Sequence, residues 1–158
     1  MTNVVVMIPK LINPSNEQDT VFKWLDIKRK TPKPANSSFA YMRIIKGGLK
    51  SKSIKSFIKH SNLTQKQVSR LIHISERTLQ RNAPEKVINI GISEKLVELT
   101  RLFHKGIEVF NDKEKFNTWL FRPNKSLEDQ KPIELIETSL GIDLVFDELL
   151  KIEHGVFS

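Results

Sequence analysis

The sequence predicts an all-α fold, on three observations. From Ser38 onward apolar residues recur at helical spacing, and the sustained period-two alternation of strands never develops. Residues able to cap a helix, Thr64, Ser75 and Ser93, stand at the start of those periodic stretches. Chain breakers, Gly47-Gly48, Pro84, Pro123 and Gly155, fall between or after them. At 158 residues the chain makes one ordinary domain or two very small ones, enough for a core, since chains of about 150 residues bury roughly 70% of their unfolded surface.

Residues 1–37 hold Pro9, Pro14, Pro32 and Pro34, the polar stretch Asn13-Pro14-Ser15-Asn16 and the basic run Lys28-Arg29-Lys30, and so predict an N-terminal arm outside the core. Two apolar patches in it, Val4-Val5-Val6-Met7-Ile8 and Val21-Phe22-Lys23-Trp24-Leu25, are expected to pack on something. The first has five residues, no basic residue ahead of it and Pro9 behind it, so it reads as neither signal peptide nor membrane span. A soluble, cytoplasmic protein is the expectation.

Phe39, Met42 and Ile45 at i, i+3 and i+6 predict a helix stopped by Gly47-Gly48, with those three as its buried stripe. Residues 50–59 carry Ile54, Phe57 and Ile58 on one stripe. Residues 64–72 open on Thr64-Gln65-Lys66-Gln67, in which the Thr64 hydroxyl takes a free amide and Gln67 reaches back, while Val68, Leu71 and Ile72 face inward. Ser75 starts a short helix with Leu79 inward, ending before Pro84. Beyond the breaker region 82–91, Ser93 is expected to cap a long helix through Leu96, Leu99, Leu102, Phe103, Ile107 and Phe110. A helix over 113–121 buries Phe116, Trp119 and Leu120. Pro132 begins a helix reaching Leu140, and a last helix runs from about Ile142 to His154, with Leu144 or Val145, Phe146, Leu149 and Ile152 inward and Gly155 as its stop. These elements divide into an arm over 1–37, a first helical unit over 38–92 and a second helical unit over 93–158.

Charge separates the same halves. Residues 1–92 hold 17 Lys and Arg against 5 Asp and Glu, a net +12, whereas residues 93–158 hold 9 against 13, a net −4. A basic first half next to an acidic second half points to a polyanion partner for one and a protein partner for the other. The absence of cysteine excludes disulfides, thiolate zinc sites and a cysteine nucleophile. His60, His73, His104 and His154 form no H-x-x-x-H pair, and no glycine-rich phosphate loop or G-x-S-x-G elbow is present, so an enzyme is not expected, nor a metal or cofactor.

The strongest local signal is Leu63-Thr64-Gln65-Lys66-Gln67-Val68-Ser69-Arg70-Leu71-Ile72-His73-Ile74-Ser75-Glu76-Arg77-Thr78-Leu79-Gln80-Arg81. Two capped helices joined by a tight turn, the second polar and basic outside, are what a helix-turn-helix requires. Thr64, Gln65, Lys66 and Ser75 are then candidates to hold phosphates, and Glu76, Arg77, Thr78, Gln80 and Arg81 face the major groove. Arg77 and Arg81 share one face, and a guanidinium binds guanine O6 and N7 together. Lys46, Lys50, Lys52, Lys55 and Lys59 add to the basic surroundings. The structural alternative is a helical hairpin with a solvated basic face. His73 stands where many such turns use glycine.

At Ile74-Ser75-Glu76-Arg77-Thr78-Leu79-Gln80-Arg81 the sequence resembles the Xre/MbcA/ParS-type antitoxins of bacterial toxin–antitoxin pairs. Phe110-Asn111-Asp112 followed by Phe116-Asn117-Thr118-Trp119-Leu120 is similar to that family's V-F-G-D and A-x-x-W-L stretch. Pro123-Asn124, Leu127, Pro132-Ile133-Glu134-Leu135-Ile136, Thr138, Gly141 and Ile152-Glu153-His154-Gly155-Val156-Phe157-Ser158 follow in the family's order. The resemblance spans about residues 39–158. It departs at Asn111 and at Glu128-Asp129, where the family usually has glycine.

The resemblance implies an Xre-like helix-turn-helix bundle followed by a small helical toxin-binding domain. It implies a homodimer that silences a cognate RES-domain, NAD-consuming toxin by occluding its active site and represses its own operon. Trp119 and Phe116 are expected in the core, and Pro132 and Gly141 as helix punctuation. His154, Gly155, Val156, Phe157 and Ser158 are the candidate toxin contacts, because they extend beyond the last helix with no local need for an apolar Phe157. The competing expectation is a free-standing helix-turn-helix regulator without a toxin partner.

Overall fold

Helix starts in this computed structural model, which describes residues 14–29 and 37–155, follow local capping chemistry. Residues 4–8, Pro9, Pro32, Pro34 and the tail Val156-Phe157-Ser158 lie outside the described residues. The element order is α1 (Pro14–Trp24), α2 (Ser37–Gly47), α3 (Ser51–Ser61), α4 (Gln65–Leu71), α5 (Glu76–Arg81), α6 (Ile90–Phe110), α7 (Lys113–Leu120), a 3-10 turn (Lys125–Leu127), α8 (Pro132–Leu135) and α9 (Ser139–Glu153). Among the described residues there is no strand, only the isolated bridges Lys50–Val87 and Asn124–Gln130. The all-α expectation holds.

Thr64 and Gln67 close the capping box, with Gln67 N donating to Thr64 Oγ1 at 3.2 Å and Thr64 N donating to Gln67 Oε1 at 2.8 Å. The start of α6 departs from expectation. Its cap is Asn89, whose Oδ1 accepts from Ile92 N at 2.9 Å. Asparagine caps as well as serine, and Ser93 is needed elsewhere: fully buried, it accepts from the buried Leu49 N at 2.9 Å and donates to Asn89 O.

The stretch from Pro132 also differs. Pro132 takes the first turn as expected, but α8 ends at Leu135 instead of Leu140. Thr138 then caps α9 by accepting from Gly141 N at 3.0 Å, so that the helix begins at Ser139, three residues before the expected start. Gly141 is therefore inside α9 and is not punctuation. A Cβ there would lie 1.7 Å from the Leu135 carbonyl oxygen, so glycine is what lets the end of α8 sit against the first turn of α9. At the far end Gly155 has φ +67 and follows the His154 cap, as the expected stop.

The arm expectation is corrected for residues 14–24. They form α1, which packs on α3 and α6 and buries Val21 and Trp24, with Leu25 buried in the turn just after it. Trp24 stacks on His60 with ring centroids 5.4 Å apart and lies 6.2 Å from Phe57 and 6.3 Å from Phe103. Ser53 Oγ donates to the Leu25 carbonyl at 2.6 Å. Polar composition misled because α1's apolar residues all fall near its C-terminal end, on the side that meets the bundle.

The buried stripe of α2 is corrected as well. Phe39 and Met42 are 58% and 47% exposed, and Ala40 and Tyr41 are buried instead, with Ile44 and Ile45 half-buried. Tyr41 turns inward because its hydroxyl donates to Glu17 Oε1 at 2.9 Å, and Arg101 Nε donates to the same oxygen at 2.7 Å. Burial and then the Glu17 carboxylate push the Tyr41 hydroxyl well above the ordinary phenol range.

All these faces meet in one apolar core centred on α6. Phe103 contacts Phe57 and Phe116 edge-on, with ring centroids 5.5 and 5.2 Å apart. The expected boundary between residues 92 and 93 falls inside α6. That helix packs on α1, α2 and α3 and also on α7 and α9, so it belongs to both halves. Leu96, Leu99, Leu102, Phe103, Phe116 and Leu120 are completely buried, and Trp119 is half-buried. The apolar content of 93–121 thus builds the chain's own core. Along α9, Val145 and Leu149 face inward, Phe146 and Ile152 are half-buried and Leu144 is 48% exposed.

Candidate functional site

Helices α4 and α5 pack at their inner faces through Val68, Leu71, Ile72 and Leu79, all 2% exposed or less. The turn between them needs one residue in left-handed geometry, and His73 supplies it at φ +56. Ile74 N donates to Ser69 O at 3.0 Å and closes the turn. Ser75 caps α5 by accepting from Thr78 N at 3.0 Å, and its Oγ lies 2.8 Å from Thr78 Oγ1. The expected motif is present, with its second helix only six residues long.

Outward from this frame, Glu76, Arg77, Thr78, Gln80 and Arg81 are all exposed, as are Thr64 and Lys66; Gln65 is half-buried. Arg77 and Arg81, one turn apart, form no ion pair among the described residues, so their guanidinium groups are free to meet a ligand. Thr64 Oγ1 and Ser75 Oγ are already engaged as helix caps. They hold their helix N-termini in shape, and a phosphate at either place meets backbone amides more than a free hydroxyl.

The basic surroundings split. Lys50 and Lys52 are both bridged by Glu85, the latter at 3.2 Å, and Lys52 also lies 3.5 Å from Asp26. Those two lysines hold Glu85 below the usual carboxylate range, and Glu85 in turn raises Lys52. Lys46, Lys55, Lys59 and Lys66 are exposed and form no ion pair among the described residues.

A junction that spacing could not reveal ties α4 to the loop between α8 and α9. Arg70 Nε donates to Glu137 Oε1 at 2.6 Å, and His73 Nε2 donates to the Glu137 carbonyl at 3.1 Å. Below it a cleft of about 490 Å³ is lined by His73, Asn89, Glu94, Lys95, Glu137 and Ser139. Lys95 is 8% exposed and its Nζ has no hydrogen-bond partner among the described residues; burial lowers its affinity for a proton, partly opposed by Glu98 and Glu137.

Of the expected tail contacts, His154 and Gly155 are exposed at the end of α9, and Val156, Phe157 and Ser158 lie outside the described residues. The end of α9 is anchored by Lys105 Nζ donating to Glu153 Oε2 at 2.7 Å. Sequence reasoning missed the outward face of α9, where Leu140, Asp143, Leu144 and Asp147 are exposed at i, i+3, i+4 and i+7. The spacing is present in the sequence, but there Leu144 and Val145 are alternatives for the inward position. The departures from glycine keep glycine-like backbone: Asn111, Glu128 and Asp129 have φ of +53, +55 and +59. Among the described residues no group of three or more His, Asp or Glu converges as a metal site, and no helix is long and apolar enough to cross a membrane.

Comparison with known proteins identifies both halves. Residues 40–101 match the model of the antitoxin Xre-like helix-turn-helix domain, and residues 105–155 match the antitoxin Xre/MbcA/ParS C-terminal toxin-binding domain. Antitoxin Xre of Yersinia enterocolitica serotype O:8 / biotype 1B is 29% identical over 133 residues, covering 79% of this chain and 86% of that protein. The fold is similar, with a TM-score of 0.53 and 24% identity, to a chain in the crystal structure of the M. tuberculosis MbcT–MbcA toxin–antitoxin complex, over 68% of this chain and 96% of that one.

Proposed function

The chain belongs to the Xre/MbcA/ParS antitoxin family, and on that premise we propose that it binds and neutralises a RES-domain toxin that consumes NAD, occluding its active site, and represses its own operon through α4 and α5. The observation that carries this reading is the continuity of two matched units in one chain. An open helix with unpaired Arg77 and Arg81 on the basic half is followed at once by the toxin-binding domain on the acidic half.

Each activity uses charge of the appropriate sign. DNA phosphates favour the +12 half, and the positioned guanidinium groups of Arg77 and Arg81 add base reading to charge attraction. A toxin that binds NAD holds an anionic pyrophosphate, so its cleft is electropositive and suited to the −4 half. His154, Gly155, Val156, Phe157 and Ser158 reach that cleft from the end of α9, with Phe157 as apolar anchor. The chain works as a homodimer, because one recognition helix reads few base pairs and operator symmetry mirrors a protein two-fold. It acts in the cytoplasm, with no cofactor and no catalysis of its own.

Co-expression with the product of the adjacent reading frame, purification and mass measurement test the reading. A stable complex with a RES-domain protein supports it. A chain that purifies alone and binds its promoter alone is instead a free-standing regulator.

A further inference from the structure

The outward side of α9 is apolar and acidic at once. Leu140 is 72% exposed and Leu144 48%, one turn apart, and Asp143 and Asp147 alternate with them on the same arc. Beside this arc a cleft of about 500 Å³ opens between α9 and α6, lined by Glu98, Arg101, Ile142, Asp143, Phe146 and Asp147. Its floor is Phe146, half-buried, and Ile142.

The cleft's one cation is spoken for. Arg101 Nε donates to Glu17 at 2.7 Å, and its guanidinium lies 5.4 Å from the centre of the Tyr41 ring, so it is held toward α1 and α2. Asp143 and Asp147 form no ion pair among the described residues, and Glu98 accepts only the Ser139 hydroxyl at 2.9 Å. Among the described residues Asp143 and Asp147 therefore stand without a cationic partner, beside Glu98 and an apolar floor and next to two exposed leucines.

We propose that this face and cleft are the docking surface for the toxin body, receiving a cationic segment that also carries apolar side chains. Lysine or arginine of the partner meets Asp143, Asp147 and Glu98, while its apolar residues cover Leu140 and Leu144. The proposal rests on the antitoxin reading and deepens it: Leu140, Asp143, Leu144 and Asp147 lie within residues 105–155, and the surface adds a broad contact on α9 to the tail contact at its end. A second copy of the chain is a poor occupant, since a two-fold contact through this arc sets Asp143 and Asp147 against their own copies. DNA is excluded by the carboxylates, which repel phosphate.

The test uses the full chain and the purified product of the adjacent reading frame, with affinity measured by calorimetry at two salt concentrations. Asp143→Lys/Asp147→Lys is expected to weaken the complex by about 100-fold, because like charges across an interface are strongly disfavoured, and to reduce its salt dependence. Leu140→Ser/Leu144→Ser is expected to weaken it at both salts alike. All four side chains are exposed, and circular dichroism with thermal melts verifies folding for each pair, so either pair alone carries the test. Affinity within threefold of wild type for the folded variants overturns the docking surface and leaves the antitoxin reading standing. A change of oligomeric mass with unchanged toxin affinity overturns it in favour of a contact between copies. A wild-type chain that binds no toxin overturns both.

Discussion

Arg70 on α4 and Glu137 between α8 and α9 are joined by a 2.6 Å ion pair, and the His73 ring adds a hydrogen bond to the Glu137 backbone. The motif expected to bind DNA is thus fastened to the half expected to bind protein. Arg70 is 72% exposed, and exposed pairs contribute only about 0–1 kcal/mol, so the contact orients more than it stabilises. It also spends the Arg70 charge on Glu137. Arg70→Ala is therefore expected to leave the salt dependence of operator binding unchanged, whereas Lys66→Ala, which removes an exposed and unpaired cation, lowers the slope of log affinity against log salt by about 1. Binding isotherms over a salt series measure both.

Arg77 is expected to read a base. Arg77→Ala should cost about 1–3 kcal/mol on the operator and less on random DNA of equal length. Equal losses on the two make Arg77 a phosphate contact, and no salt-dependent binding by the wild-type chain removes the DNA claim.

The α4–α5 motif was legible in the sequence because it is built from contacts three residues apart: Thr64 with Gln67, and Ser75 with Thr78. The helical spacing of Leu96, Leu99, Leu102 and Phe103 likewise marked the buried stripe of α6. What failed depended on distant partners. Tyr41 and not Phe39 faces inward because Glu17, 24 residues away, takes its hydroxyl. Ser93 is a buried link to Leu49, 44 residues away, and so leaves capping to Asn89. The Arg70–Glu137 tie and the acidic face of α9 needed the fold to bring their residues together or leave them bare. The expected DNA-contacting residues are exposed except Gln65, which is half-buried, and the tail residues beyond Gly155 lie outside the described structure.

Lys95 is expected to reduce stability. Its Nζ is buried without a hydrogen-bond partner, so Lys95→Met should stabilise the chain by about 1–3 kcal/mol, the penalty of an unmet buried polar group. Burial lowers the folded-state pKa below that of the unfolded chain. The penalty is then complete below the folded pKa and fades as pH rises through it, because the folded chain loses the proton first. Thermal melts of both proteins should therefore differ most near neutral pH and converge in the alkaline range.

Gly141→Ala is expected to destabilise the fold by about 1–3 kcal/mol, as overpacking does, because the new methyl meets the Leu135 carbonyl at 1.7 Å. The injury is local to the α8–α9 junction. A thermal melt should fall, and Gly155→Ala, where a Cβ meets nothing within 4 Å but φ is +67, should fall less.

Removing Val156, Phe157 and Ser158 is expected to weaken toxin inhibition while helical content, melting temperature and operator binding stay near wild type. A lowered melting temperature would instead make Phe157 a staple of α9 to the core. A stable truncated chain that still inhibits fully removes the tail from the toxin contact.

The measurement closest to the central claim is NAD consumption by the purified product of the adjacent reading frame, titrated with the full chain. The account predicts that NAD loss falls to background as the chain reaches saturation, and that operator DNA still binds the inhibited complex. NAD loss that continues undiminished in the presence of a folded, saturating excess of the chain would contradict it.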